Sequence, residues 1–230
     1  MNWFKRAFAP GEGKMSVPDA QPPAISAAQL DAIFPGRGAD WAVWLDAAMQ
    51  RYAITTPRRV AHFLAQVGHE SARLTVTEES LFYRTAGRIQ AIWPSRFLTE
   101  ADAQPYVANP RALANLVYGG RMGNVGPDDG WNFRGRGLIQ TTGRRNFTRL
   151  AEVFGLASPE KAAIWATTRE GAAMSAGVFW ADQRLNDLAD QGGIDAVEAI
   201  TLRVNGGRHG LADRREIYAR AAAVVGGVIG

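Results

Sequence analysis

Apolar residues recur at helical spacing through most of this sequence, and proline or glycine interrupts the pattern at short intervals. The first such segment follows Ser26, has Gln29 at the capping-box position and carries Leu30, Ile33 and Phe34 on one face. Alternating strand patterns are few, and we find no internal repeat. The pattern predicts a mainly α-helical fold.

Later helices are recognised by their starts and by their apolar stripes. Thr56-Pro57 places a capping threonine before a proline at the first helical position, and Val60, Phe63 and Leu64 begin the stripe that follows. Another helix is predicted to start at Pro159. The remaining predicted helices cover residues 39–52, 88–93, 100–106, 110–118, 146–154, 168–188, 194–204 and 211–225.

A chain of 230 residues with 47% apolar and 21% charged residues can bury the core of one domain. Four prolines and weak apolar periodicity predict a flexible leader or linker over residues 1–24. A single domain is then expected over residues 25–230. The absence of cysteine excludes disulfides and thiolate metal sites, and three scattered histidines argue against structural zinc.

The first residues lack the sustained apolar run of a signal peptide, and no stretch reaches the roughly 18 apolar residues of a membrane-spanning helix. We therefore expect no stable membrane insertion. We also expect the protein to be synthesised in the cytoplasm. The net charge of +4 and the pI of about 9.7 come mostly from arginine. A basic surface favours anionic partners such as nucleic acid, acidic lipid or a cell-wall polymer. The commonest alternative is a solvated surface with local carboxylate partners.

Residues 134–150 combine glycines with uncharged hydrogen-bonding side chains, among them Gln140, Thr142 and Asn146. Such a segment suits a turn that holds a sugar or a water molecule. Thr142 is also expected to cap a helix that begins at Gly143. The alternative is a glycine turn that only allows close packing. The spacing matches neither a phosphate loop nor a dinucleotide fingerprint.

Two glutamates stand out upstream of this segment. Glu70 is predicted to lie at the C-terminal end of an apolar helix, where burial and the helix dipole both favour its protonated form, as a general acid requires. The alternative is a surface glutamate paired with Arg73 or another arginine. Glu79 follows nine residues later and is adjacent to Glu78, so the two carboxylates are expected to point in different directions.

A long loop precedes the glycine turn. Residues 119–130 contain five glycines, a proline and two aspartates. Loops of this length in a compact domain usually line or cover a site. The alternative is a mobile insertion.

Four motifs follow one another along the chain and are Gln66-x-x-His69-Glu70-Ser71, Glu79-x-Leu81-x-Tyr83, Gly135-Arg136-Gly137-x-Ile139-Gln140-x-Thr142-x-x-x-Asn146-Phe147, and Asn205-Gly206-Gly207 with Asp213-Arg214. In this order and spacing, over roughly residues 27–222, they closely resemble glycoside hydrolase family 19. The resemblance is strongest to its bacterial and bacteriophage branch, which includes endolysins. It implies a mainly helical, lysozyme-like fold with two lobes and a substrate cleft between them.

The resemblance also implies roles for individual residues. It makes Glu70 the general acid and Glu79 the general base, and it assigns the attacking water to Thr142 and Asn146. It matches Gln140 and Asn205 to sugar-binding positions and Arg214 to the arginine that interacts with the network of the acid. The positions that it implies for substrate or water binding further include His69 and Tyr83. One departure concerns Arg208-His209-Gly210, where plant members carry a glutamate, so their relay of acid, arginine and glutamate is not carried over.

With these roles, protonated Glu70 donates to the glycosidic oxygen while ionised Glu79 activates a water on the opposite face of the sugar. This mechanism inverts the anomeric centre and calls for carboxyl groups about 6.5 to 9.5 Å apart. No metal or organic cofactor is implied, because two carboxylates supply both proton transfers.

The resulting prediction is an endolysin or muramidase that cleaves β-1,4 bonds between amino sugars in the glycan strands of peptidoglycan. It is expected to be a monomer, to bind no nucleic acid and to act on the wall after release through a holin pore. The first alternative is a chitinase, because chitin shares the linked amino-sugar backbone. The second is a non-catalytic wall-binding module. Nucleic-acid binding by the arginine cluster ranks last, since no recognised binding motif accompanies it.

Overall fold

The computed structural model of the protein describes residues 22–226, and most of the predicted leader lies outside this range. Residues 22–24 lie against the second helix, where Ala24 N donates to Asp46 and Gln50 donates to the Pro22 carbonyl. Within the described range the elements are α1 (Ala27–Ile33), α2 (Gly38–Arg51), α3 (Pro57–Glu70), α4 (Ala86–Ile92), α5 (Glu100–Ala103), a 3-10 turn (Gln104–Tyr106), α6 (Pro110–Tyr118), α7 (Asp129–Asn132), α8 (Arg144–Phe154), α9 (Pro159–Trp165), α10 (Arg169–Asp182), α11 (Leu185–Gln191), α12 (Ala196–Asn205) and α13 (Leu211–Val225).

The local start signals of the sequence form as predicted. Ser26 and Gln29 make a reciprocal capping box at α1, and Thr56 caps α3 ahead of its proline. Ser158 does the same for α9. Each cap satisfies a backbone N–H that the first helical turn leaves unpaired, which contributes about 1 kcal/mol.

The large lobe is built around α3, which packs along α13 and carries a buried run from Val60 to Gly68. Phe63 meets Trp180 of α10 edge to face, with ring centroids 5.3 Å apart. The helices α1, α2, α11 and α12 complete this core. Burying each large apolar side chain contributes about 1.5 to 3 kcal/mol, so this lobe holds α3 rigidly.

A second, smaller core is formed by residues 81–118 and belongs to a separate lobe. Leu81, Ile89, Phe97 and Leu113 are its buried centre. A third cluster joins α8 and α9 to the large lobe through Phe133, Phe147 and their neighbours. The mainly helical fold with two lobes and a cleft between them is therefore confirmed.

Two segments cross between the lobes, residues 71–80 and 132–142. They pair through short backbone contacts, including an isolated bridge between Glu78 and Arg136, and a second bridge joins Arg136 to Thr141 within the second segment. Gly137 N also donates to the Thr77 carbonyl at 2.9 Å. Across residues 22–226 these bridges are the only β pairing.

The helix predicted over residues 168–188 is two helices. The chain turns at Arg184, whose φ of 55° is left-handed, so α10 ends at Asp182 and α11 begins at Leu185. Asn186 fixes this corner, since it accepts from the Trp180 indole and donates to the Tyr52 carbonyl. The continuous apolar pattern hid the break because both helices bury residues in the same core.

No helix within residues 22–226 is long and apolar enough to cross a membrane.

Candidate active site

Glu70 is the last residue of α3 and contacts the buried guanidinium of Arg214. Arg214 lies in the first turn of α13, is 1% exposed and also donates to Gln66 Oε1 at 2.6 Å. Only Glu70 Oε1 is engaged, and its Oε2 has no hydrogen-bond partner within residues 22–226. The packing of α3 on α13 thus leaves one carboxyl oxygen free.

The surroundings of Glu70 differ in one respect from the prediction. The helix end and burial were expected to set the environment of Glu70, whereas the structure adds a charge-assisted hydrogen bond from the Arg214 guanidinium. The resemblance had already placed Arg214 in the network of the acid.

A second charged group lies beside Glu70 and is centred on Asp213. Its carboxylate binds His69 Nδ1 at 2.5 Å and Arg73 Nη1 at 3.0 Å. Hydrogen bonding to Arg73, and secondarily to His69, lowers the pKa of Asp213. His69 is also held by Gly210, where an added Cβ would lie 2.1 Å from the imidazole, so only glycine permits this close approach.

Glu79 lies in the first crossing segment, and it accepts from the small lobe and from the second crossing segment. Tyr118 Oη donates to its two carboxylate oxygens at 2.8 and 3.0 Å, and Gly135 N donates to Oε2 at 3.2 Å. Its own backbone N–H donates to the Gly135 carbonyl. These hydrogen bonds fix the position of the Glu79 carboxyl group beside the second crossing segment.

Tyr118 is a functional candidate that the sequence analysis missed. Burial, and then the charge of Glu79, raises the pKa of Tyr118, so it stays protonated and donates at neutral pH. The same two causes raise the pKa of Tyr83, which places this predicted residue near Glu79. The signal for Tyr118 was its place in the last turn of a predicted helix, directly before the glycine loop.

Glu78 points away from Glu79, as predicted, and binds two arginines whose side chains are almost buried. Glu78 Oε1 contacts Arg134 at 2.6 Å and Arg136 at 3.0 Å. Arg134 stacks on Trp131 with its guanidinium carbon 3.5 Å from the ring centroid, and it donates to the Glu79 carbonyl. Glu78 and the two arginines therefore fix the backbone that carries Glu79.

Gln140, Thr142 and Asn146 line one cavity of about 330 Å³, together with Met122 and Val204. Neither glutamate lines this cavity. Gly135 lies between Gln140 and Glu79, since a Cβ built on Gly135 would lie 2.6 Å from Gln140 Oε1 and 3.4 Å from Glu79 Cβ. Gln140 therefore links the cavity to the surroundings of Glu79.

Thr142 does not cap a helix, so that prediction was wrong. Its hydroxyl donates to the Gln140 carbonyl at 2.9 Å, and Gly143 is the residue at the start of α8. The first N–H groups of α8 donate to the long loop instead, Arg144 N to Asn124 Oδ1 and Arg145 N to the Met122 carbonyl. Asn124, twenty residues before Arg144, therefore caps the helix in place of Thr142.

The same contacts order the glycine loop. Asp129 is 3% exposed, accepts from Val125 N and Gly126 N, and forms a two-point ion pair with Arg144. Hydrogen bonding to Arg144 holds the pKa of Asp129 well below its usual range. The loop therefore lines the cavity through Met122, as one of its two predicted roles requires.

Asn205 is not brought into the cavity lining. Its amide donates to the His209 carbonyl at 3.1 Å and accepts from Gly207 N at 2.8 Å, closing the turn after α12. The His209 carbonyl also accepts from Arg214 at 3.5 Å. In this structure Asn205 thus braces the turn behind Arg214, and its role in sugar binding stays a prediction.

Within residues 22–226, no group of three or more His, Cys, Asp or Glu side chains is arranged to hold a metal ion.

Comparison with known proteins identifies a similar protein in Haemophilus influenzae, described as a "Glycosyl hydrolase family 19 domain-containing protein". The two are 31% identical over 207 residues, which cover 84% of this chain and 94% of the relative. No protein-family model matches the chain.

Several solved structures share the fold. Chitinase C of Streptomyces griseus superposes with a TM-score of 0.62 at 18% identity, covering 92% of this chain and 97% of that one. A bacterial family 19 chitinase gives a TM-score of 0.54 at 22% identity, covering 90% and 97%. A class IV family 19 chitinase of Zea mays gives 0.56 at 18% identity, covering 90% and 95%. At these identities the likeness concerns the fold.

Proposed function

Because the chain belongs to glycoside hydrolase family 19, we propose that it hydrolyses β-1,4 bonds between amino sugars of bacterial peptidoglycan and inverts the anomeric centre. One observation carries this proposal, namely the unequal surroundings of the two glutamates. Glu79 accepts from the Tyr118 hydroxyl, which both its oxygens share, and from Gly135 N, whereas Glu70 keeps one oxygen without a partner in residues 22–226. The first arrangement suits a general base, and the second leaves room for a proton that faces substrate.

The attacking water has a place beside Gln140. Asn146 donates through Nδ2 to the Thr142 carbonyl at 2.7 Å, which orients its amide and leaves Oδ1 without a partner in the described residues. The Thr142 hydroxyl donates to Gln140 and can still accept. A water that donates to Asn146 Oδ1 or Thr142 Oγ1 turns a lone pair towards the sugar, as an inverting hydrolysis requires.

The roles of the two glutamates are tested with substrates that differ in leaving group. Glu70→Gln should lower kcat on native glycan by about 10² to 10⁴-fold but much less on a dinitrophenyl glycoside, which leaves without protonation. Glu79→Gln should lose activity on both, and azide should restore part of it. Equal loss on both substrates for Glu70→Gln would contradict its role as the acid.

The stereochemistry is measured separately. Proton NMR of the first products should show the anomer opposite to that of the cleaved bond. Retention of configuration would overturn the inverting mechanism, whatever the substrate.

A chitinase is the second candidate, and it is favoured by the solved structures of the same fold that are themselves chitinases. The basic charge of +4 supports the anionic peptidoglycan instead. Reducing ends released from purified peptidoglycan and from chitin oligomers, at equal sugar concentration, separate the two. Turnover of chitin oligomers with no release from peptidoglycan would reverse the order.

A further inference from the structure

A second groove lies on the large lobe, away from the cavity beside Gln140. It has a volume of about 830 Å³ and is bounded by the first half of α2, residues 74–77 and the connection from α9 to α10. No role in the proposed chemistry uses it. Its volume lies within the range of small-molecule sites in proteins.

Tryptophan indoles dominate the lining of this groove. Trp41 and Trp44 come from one face of α2, and Trp165 comes from the last turn of α9. Trp44 and Trp165 are half-buried, so part of each ring is accessible. Flat indole surfaces beside polar groups offer stacking for the C–H faces of a sugar ring.

Trp41 adds a polar group to the lining of the groove. The residue is 4% exposed, and its indole N–H has no hydrogen-bond partner within residues 22–226. The nitrogen is not fully shielded from solvent. An accessible indole N–H without a protein partner is a donor for a ligand hydroxyl or carbonyl.

The remaining polar groups favour a ligand without charge. Arg169 pairs with Asp40 at 2.9 Å, and Arg37 and Glu170 add one charge of each sign. The groove therefore has no net charge, which argues against phosphate or nucleic acid. The Thr77 hydroxyl has no partner in the described residues and adds a neutral donor and acceptor.

We propose that this groove is a second saccharide-binding site, which holds a neutral stretch of β-1,4-linked amino sugars and keeps the polymer on the protein. The identity of the sugar rests on the proposed function. Thr77 lies two residues before Glu79, so a strand bound in the groove stays next to the crossing segment of the cleft.

The test uses the full chain with Glu70→Gln, titrated with the tetramer of N-acetylglucosamine and followed by ¹H–¹⁵N NMR. The indole signals of Trp41 and Trp44 should shift saturably, with an affinity separate from that of the Gly135 amide in the cleft. Trp44→Ala should weaken the groove affinity at least tenfold and leave the Gly135 response unchanged. Val43→Ala, at the exposed neighbouring position of α2, is the matched control.

If Trp44→Ala does not fold, Thr77→Val replaces it as the test variant, because it removes only a hydroxyl. Thr77→Val should weaken the affinity of the groove for the tetramer by several fold. Unmoved Trp41 and Trp44 signals at millimolar tetramer would overturn the second site, whatever happens in the cleft. Shifts in the groove together with wild-type protein that cleaves neither glycan would support the site and contradict the proposed function.

Discussion

At the scale of single residues, the Tyr118 hydroxyl donates one proton that both carboxylate oxygens of Glu79 share, at 2.8 and 3.0 Å. The hydroxyl comes from the small lobe, whereas Glu79 belongs to the crossing segment. Tyr118 therefore joins the small lobe to the segment that carries the proposed base. A substitution that removes only this hydroxyl isolates the effect.

Tyr118→Phe is expected to lower kcat by about 10 to 100-fold, because a hydrogen bond to a charged group contributes about 1.5 to 3 kcal/mol. Initial rates on purified glycan measure the effect. Tyr106→Phe, in the same lobe, is the control and should keep the wild-type kcat. An unchanged kcat for Tyr118→Phe would contradict a role for this hydroxyl.

His62 is a second residue whose surroundings set its charge. It is fully buried against Tyr218, its Nε2 lies 3.1 Å from the Gly192 carbonyl, and its Nδ1 has no partner in the described residues. Burial lowers the pKa of His62 to about 4. Because the unfolded chain binds this proton at higher pH, the stabilising effect is complete above about pH 6.5 and is lost down to about pH 4.

We therefore expect His62 to account for about 3 kcal/mol of the fall in the free energy of unfolding between pH 7 and pH 4. His62→Phe should flatten the curve in this window, while carboxylates such as Asp213 still contribute at lower pH. Urea unfolding at a series of pH values measures this. His209→Phe, at an exposed position, should keep the wild-type slope, and an equal slope for His62→Phe would refute the assignment.

At the scale of elements, the turn between the two glutamates holds an unusual backbone. Ala72, Arg73 and Leu74 have φ values of 49°, 59° and 62°, in the left-handed region that costs a non-glycine residue about 1 to 2 kcal/mol. Ser71 offsets part of this cost, since its hydroxyl accepts from Leu74 N at 2.9 Å. The strained turn lies between the proposed acid and base, where it sets their relative positions.

The Glu78 side chain adds ion pairs to the backbone pairing of the crossing segments. Glu78→Gln is expected to lower the free energy of unfolding by about 1 to 3 kcal/mol, because Arg134 and Arg136 would remain almost buried without a carboxylate partner. The expected loss of stability is limited because the Glu78 side chain is 40% exposed. Activity should fall further than stability requires, since Arg134 also holds the Glu79 carbonyl.

Denaturant unfolding and kcat on the same samples check this expectation. Glu216→Gln breaks an exposed pair with Arg220 one helical turn away and should change stability by about 0.5 kcal/mol or less. Equal effects of the two substitutions would contradict a special role for Glu78.

At the scale of the whole molecule, the charge is +4, from 26 basic and 22 acidic residues. Many arginines pair with carboxylates, so a minority of the basic side chains carries the net charge. Such a surface attracts an anionic polymer at distances up to about the Debye length.

Hydrolysis of peptidoglycan should slow as salt rises from about 10 to about 150 mM, over which the Debye length contracts from about 30 to about 8 Å. Hydrolysis of neutral chitin oligomers should change little. Initial rates on both substrates across this range measure the difference. Equal salt dependence would show that the basic surface does not attract the wall.

The sequence by itself determined the helices and the chemistry available to the site. Caps at Ser26 and Thr56 and apolar stripes act within one or two turns, so local order was sufficient to predict them. The motifs likewise contain Glu70, Glu79 and Gln140, because their identities and spacing are linear properties of the chain.

Only the tertiary structure decided which partners those side chains meet. Tyr118 on Glu79 and the Asn124 cap of α8 each join positions at least twenty residues apart. The same holds for the corner at Arg184, where Asn186 reaches Tyr52. These contacts depend on how two cores bring distant segments together, and periodicity and spacing along the chain do not contain that information.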